Sequence, residues 1–117
     1  MSVDASGEAT YADFVKLDIR VGTVRSARRN EKARKPAYVL EIDFGCEIGR
    51  KTTSAQIVEA YRVDEIIGRQ VVAIVNFPAK KVADVWSQAL VLGVVRGNGP
   101  TILLAPGSEV ENGARVL

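Results

Sequence analysis

From Lys16 onward the chain alternates apolar and polar positions at the two-residue period of a half-buried strand: Leu17, Ile19 and Val21 against Asp18, Arg20 and Gly22. The next strong apolar residue is Val24, three positions beyond Val21, so the phase shifts at Gly22. A glycine at a phase shift predicts a bulge or bend that lets one long strand serve two sheets, as the corners of closed barrels require. The second run is cleaner, with Tyr38, Leu40, Ile42 and Phe44 on one face and Val39, Glu41 and Asp43 on the other. Gly45 and Gly49 bracket a short turn, and residues 50–54 predict a Thr-rich third strand.

Residues 57–61 and 63–67 carry no alternation and predict a short helical connection ended by Gly68. Residues 69–75 predict a fourth strand, apolar enough to be covered on both faces. Residues 76–87 read as a polar connection holding Pro78, and residues 89–95 as a fifth strand. Gly97-Asn98-Gly99-Pro100 is a strong turn, from which residues 101–105 pair back as a hairpin arm. Asn112-Gly113 marks another turn before a last short strand at 114–117. At the other end, Thr10 followed by Asp13 has the pattern of a helix N-cap, so residues 11–15 predict one helical turn. Residues 1–9 are a polar, flexible lead-in without the basic start and apolar stretch of a secretory signal.

Three strands, a short helix and two further strands is the element order of the OB-fold, a small all-β barrel. Other small barrels lack a natural place for the helix between strands three and four. The expectation is one such barrel over residues 10–117, with short extensions at either end.

Composition narrows the chemistry. In 117 residues there is no histidine and one cysteine, Cys46. Triads, Cys-His pairs and imidazole-based zinc sites are therefore excluded, as are an internal disulfide and a cysteine-cluster metal site. No metal and no cofactor are expected. Cys46 reads most simply as a small residue in or beside a turn. No apolar run approaches bilayer length, so no integral membrane insertion is expected, and a reducing cytoplasm suits the cysteine usage.

Sixteen basic residues against 14 acidic give a net charge of only +2, so distribution matters more than the total. Residues 20–35 hold Arg20, Arg25, Arg28, Arg29, Lys32, Arg34 and Lys35 against the single acid Glu31. Strand three opens with Arg50 and Lys51, and the connection between strands four and five carries Lys80 and Lys81, with Trp86 near its end. OB-folds bind across strands two and three and with the loops joining strands one to two and four to five. The positive charge thus lies where such a fold binds, and where it would neutralise phosphates. Trp86 or Phe77 would stack a base, a contact of about 1–3 kcal/mol. The plainer readings stand beside these. Loop cations also keep a surface solvated, Lys51 faces Asp43 as an exposed pair, Trp86 packs at a rim or subunit interface, and Phe77-Pro78 caps a strand end. A Ser-Lys dyad from Ser54 and Lys51 has no companion oxyanion motif, so no enzyme activity is expected.

The residues also resemble a known family. Phe14-Val15-Lys16-Leu17-Asp18-Ile19-Arg20-Val21-Gly22 is similar to the opening of the group that joins CsaA-type secretion chaperones with tRNA-binding domains. Residues 38–45, 51–57, 67–78 and 87–93 resemble its later strands in order. Asn76-Phe77-Pro78 and Ser54-Ala55-Gln56 are similar to the CsaA-type branch. Ser87-Gln88-Ala89-Leu90 stands where free-standing and synthetase-appended tRNA-binding domains usually carry Ser-Glu-Gly-Met. The resemblance implies a non-catalytic, export-related chaperone. It would bind unfolded or precursor polypeptides as an OB-fold homodimer and work with the export machinery. The alternative it implies is tRNA binding by the same fold. For RNA the candidates are Arg28, Arg29, Arg34, Lys35, Arg50, Lys51, Ser54, Asn76, Lys80, Lys81 and Ser87. For polypeptide they are Phe77, Pro78 and Trp86. Phe14, Ile102, Val116 and Leu117 are candidates for a subunit interface and equally for ordinary core.

Overall fold

One long strand organises the computed structural model, which describes residues 7–117. After the helical turn α1 (Tyr11–Val15) comes β1 (Ile19–Arg29), and its two halves pair with different neighbours. Residues 19–23 run antiparallel to β4 (Gln70–Ile74), while residues 23–29 pair with β2 (Tyr38–Asp43). Thr23 is the pivot, opposite Asp43 on one side and Gln70 on the other. The bulge falls at Arg25, between Val24 and Ser26, rather than at Gly22. Gly22 has a different task. A Cβ there would lie 2.7 Å from both Ile42 Cγ2 and Phe44 Cδ1, so the missing side chain lets β2 lean across the strand.

β2 leads through the short α2 (Gly45–Ile48) into β3 (Arg50–Ala55), and α3 (Val63–Ile66) connects β3 to β4. With β7 (Leu90–Val91) these strands form a five-stranded sheet in the order β3-β2-β1-β4-β7. The sheet curls until β3 meets the chain ahead of β7. Gln88 N donates to Thr52 O at 2.7 Å, and Thr52 N to Gln88 Oε1 at 2.9 Å. Thr53 Oγ1 donates to Ala89 O at 2.7 Å. These bonds, rather than a strand ladder, nearly close an OB-fold barrel.

The alternation in β2 places Tyr38, Leu40, Ile42 and Phe44 inside the barrel with Val24, Ile57, Ile66, Val71 and Ala73, all buried. β4 is covered on both sides: Val71 and Ala73 face the barrel, while Val72 and Ile74 join Ile19 and Val21 in a second cluster. Phe14 and Val116 pack on that second cluster, so both terminal arms bury against their own barrel. The α1 turn carries the capping box that Thr10 and Asp13 predicted, with Thr10 N donating to Asp13 Oδ2 at 2.9 Å. The last segment lies beside β1 through an Arg20–Arg115 bridge, with Val116 N donating to Ile19 O at 2.8 Å.

Further expectations need correction: residues 57–61 form a turn rather than helix, and residues 114–117 hold only the isolated Arg115 bridge rather than a strand. Residues 76–87 are not a plain connection: they contain a hairpin of β5 (Lys80–Val82) and β6 (Val85–Ser87). Its turn carries Ala83 at φ 45°, a left-handed position where glycine is the ordinary signal. The fifth strand is also two strands. After β7 the chain leaves β4 and forms β8 (Gly93–Val94), which pairs with β9 (Ile102–Leu103). Gly93 permits that exchange, because a Cβ there would sit 2.7 Å from Thr101 Cγ2. Of the lead-in, residues 7–9 are exposed and without regular structure, and residues 1–6 lie outside the described residues.

Candidate ligand-binding groove

The β5–β6 hairpin overhangs β3, and the space beneath it is the candidate site. Two adjoining cavities of about 470 and 380 Å³ share Ser54, Gln56 and Val82 and make one groove. At one end it is walled by Lys32, Arg34 and Lys35 of the loop after β1, and at the other by Phe77, Pro78, Lys80, Ser87 and Leu90. The strand period decides which hairpin residues line it. Lys80 and Val82 share one face with their partners Ser87 and Val85, while Lys81 and its partner Trp86 share the other. Trp86 is 58% exposed on that outer face, whereas Phe77 (45%) and Leu90 (49%) offer half-exposed apolar surface in the groove itself.

The predicted residues therefore divide by location. Arg34, Lys35, Ser54, Phe77, Pro78, Lys80 and Ser87 come together in the groove. Lys81 and Trp86 stand on the outer face of the hairpin. Arg28 borders a separate hollow with Val39, Glu41 and Thr52, and Arg29 is exposed at the end of β1. Arg50 and Lys51 lie at the start of β3, outside both cavities. Lys51 stands opposite Ile42, not Asp43 as expected. Asp43 lies opposite Arg50 and its carboxylate meets Arg25 at 3.4 Å, while Arg50 pairs with Glu41 at 2.7 Å.

Two of the predicted polar residues are committed to the fold. Asn76 accepts from Asp18 N at 2.9 Å and donates to Lys16 O at 2.8 Å, bracketing the approach to β1. Ser87 Oγ accepts from Ser54 N at 3.2 Å and lies 3.0 Å from Thr53 Oγ1. Since Thr53 spends its single hydroxyl hydrogen on Ala89 O, the hydrogen between the two hydroxyls comes from Ser87. Ser87 thus fixes the groove floor while remaining part of its lining.

Ion pairing divides the cations further. Arg20 binds Asp18 at 2.6 Å and donates to Gly113 O at 2.9 Å, the Asp18 bond holding its pKa above the ordinary value. Lys32 meets Asp84 at 2.5 Å. Among the described residues Arg28, Arg29, Arg34, Lys35, Lys51, Lys80 and Lys81 have no ion-pair partner, so their charge is available to a ligand. Gln56, Val82 and Leu90 line the groove as well. Gln56 and Leu90 stand in segments already singled out, whereas Val82 belongs to the hairpin that carried no strand signal. No group of three or more acidic or cysteine side chains among the described residues is arranged to hold a metal ion. Among the described residues no helix is long and apolar enough to cross a membrane.

Residues 19–115 match the family model described as "Putative tRNA binding domain". The structure is similar to that of the chaperone CsaA from Bacillus anthracis str. Ames, with TM-score 0.89 and 48% identity over 94% of this chain and 99% of that one. The chain is a CsaA-type member of the tRNA-binding-domain family. A CsaA chaperone protein from Picrophilus torridus is 44% identical, with TM-score 0.88 over 94% of this chain and 100% of that one. A methionine–tRNA ligase of Flavobacterium johnsoniae is 33% identical over 106 residues, which are 91% of this chain and 14% of the ligase. The chain thus spans about a seventh of the length of that curated relative.

Proposed function

We propose that this family member is a non-catalytic, export-related chaperone of the cytoplasm that holds unfolded or precursor polypeptides in the groove beneath the β5–β6 hairpin. One observation carries the reading: the groove offers Phe77, Pro78, Val82 and Leu90 beside the polar Ser54 and Gln56. Apolar side chains of an extended segment bury against the first set, at about 25 cal/mol per Å² of apolar surface removed from water. Ser54 and Gln56 serve its backbone amides without demanding a sequence. The export machinery receives the bound chain in this reading.

The working unit is a homodimer. Phe14 and Val116 pack in their own barrel, whereas Leu117 stays exposed, and the apolar surface we assign to a second copy is that of the β8–β9 region. There Val94 (51% exposed), Val95 (83%), Ile102 (38%) and Leu104 (41%) remain uncovered. Sedimentation of the parent and of Val95→Asp tests this, the variant being expected to run as a monomer.

A second reading is tRNA binding, favoured by the unpaired Arg34, Lys35 and Lys80 at the groove and by Arg28, Arg29, Lys51 and Lys81 around it. Phosphate contacts of this kind weaken steeply with salt, whereas apolar burial does not. Titration of labelled tRNA and a labelled unfolded polypeptide at low and high salt separates the two. Salt-resistant polypeptide binding is the expected result. Salt-sensitive tRNA binding without polypeptide binding would make RNA the primary ligand.

A further inference from the structure

The two rims of the groove are joined by one ion pair. Lys32 projects from the loop after β1, Asp84 from the tip of the β5–β6 hairpin, and their charged atoms lie 2.5 Å apart. Asp84 is the one acid of the hairpin, residues 77–90 containing no other, and neither cavity of the groove is lined by Glu31 or Glu59, the nearest acids on the opposite rim. Asp84 follows Ala83, the one described non-glycine residue at positive φ, so the hairpin turn itself fixes where the carboxylate stands. The Lys32 hydrogen bond holds the Asp84 carboxyl below its ordinary range, and Lys81 acts on it in the same direction. The pair is therefore charged on both sides throughout neutral pH.

Asp84 removes one cation from a rim that otherwise holds Arg34 and Lys35, and it sets a fixed negative charge near Lys81. A phosphate approaching this rim meets that negative charge and finds Lys32 already engaged. An extended polypeptide brings mostly neutral backbone and apolar side chains, and is indifferent to it. We propose that Asp84 is a selectivity residue, biasing the groove toward polypeptide and against RNA. The proposal rests on the reading of the groove as the ligand site.

The test compares the parent with Asp84→Asn, Asp84→Glu and the double variant Lys32→Ala with Asp84→Asn. Each is titrated with tRNA and with an unfolded polypeptide between about 50 and about 200 mM salt. Asp84→Asn is expected to bind tRNA at least about threefold more tightly, with a salt slope steeper by about 0.7–0.9 for the one released lysine, and to bind polypeptide as the parent does. The double variant should return tRNA binding close to the parent, and Asp84→Glu should keep the parent's preference. If the parent binds polypeptide but Asp84→Asn gains no tRNA affinity or slope, the selectivity role is wrong and the groove reading stands. Equal changes for both ligands, or a gain that Asp84→Glu shares, would also overturn the role, since hairpin geometry rather than charge would then be responsible. If neither parent nor variants bind either ligand, both readings fall together.

Discussion

Strand β4 and the β5–β6 hairpin follow one another in the chain, yet four of the five residues of β4 are buried and none of the hairpin's is. β4 pairs with β1 on one side and β7 on the other, and it contributes to both apolar clusters. The hairpin pairs only with itself and meets the barrel through Ser87 and the lysine tie at Asp84. Stability is thus concentrated in the barrel, while the candidate groove is roofed by a hairpin that folding scarcely needs and floored by Ser54 and Gln56 of the barrel itself. Substitutions in the two regions should separate cleanly.

The largest separation is expected between Phe44→Ala and Trp86→Ala. Phe44 is fully buried, and its truncation should cost about 3–5 kcal/mol in urea unfolding. Trp86 is 58% exposed, and its loss should change stability by no more than about 0.5 kcal/mol. Gly22→Ala comes next. With a Cβ 2.7 Å from Ile42 and Phe44, it overpacks the strand crossing, and about 1–3 kcal/mol should be lost by the same assay.

Thr53→Val probes the seam between the two regions. Thr53 is 1% exposed, and the change removes the short 2.7 Å bond to Ala89 O, leaving only Ser87 Oγ at 3.4 Å, and takes from Ser87 its hydroxyl partner. A loss of about 1–3 kcal/mol follows, and faster amide exchange at Gln88 N would report the loosened seam. pH gives a smaller effect, confined to the barrel. Hydrogen bonding from Gly45 N, assisted by Arg25, holds the Asp43 carboxyl below its ordinary value of 3.8. A depressed carboxylate pKa stabilises the fold fully above the unfolded value and loses that contribution as pH falls through the folded one. The stability difference between parent and Asp43→Asn should therefore shrink below about pH 4. Thermal melts across the acid range measure it. Smallest in stability is the joint change of Arg34, Lys35, Lys80 and Lys81 to Ala, within about 0.5 kcal/mol for exposed charges. Any tRNA binding by the parent should lose about 0.7–0.9 of salt slope for each phosphate contact removed.

The same division explains what the sequence made legible. The start of β1 and the whole of β2 alternate apolar and polar residues, and β4 is a continuous apolar run, so Leu40, Ile42 and Phe44 announced the barrel, and Thr10 with Asp13 announced the first turn. The hairpin gave no such signal. Its strands have three residues each, two lysines occupy β5, and the turn uses Ala83 where glycine or asparagine would have marked it. The site suffered from this directly. Lys80 and Lys81, adjacent in sequence, point to opposite faces once they lie on a strand, and the same alternation carries Trp86 out of the groove. Ion pairing was equally hidden, because Lys32 and Asp84 are brought together only by the fold. Arg20 and Arg50 belonged to the basic pattern by composition, but their neighbours Asp18 and Glu41 neutralise them.

The proposed site lies beneath the hairpin and not on its outer face. A photo-crosslinking residue placed at Gln56 or at Trp86, irradiated with a labelled unfolded polypeptide, tests it most directly. The account predicts an adduct from position 56, lost when unlabelled polypeptide competes, and none from position 86. An adduct from position 86 with none from 56 would contradict it and move the binding surface to the Lys81–Trp86 face.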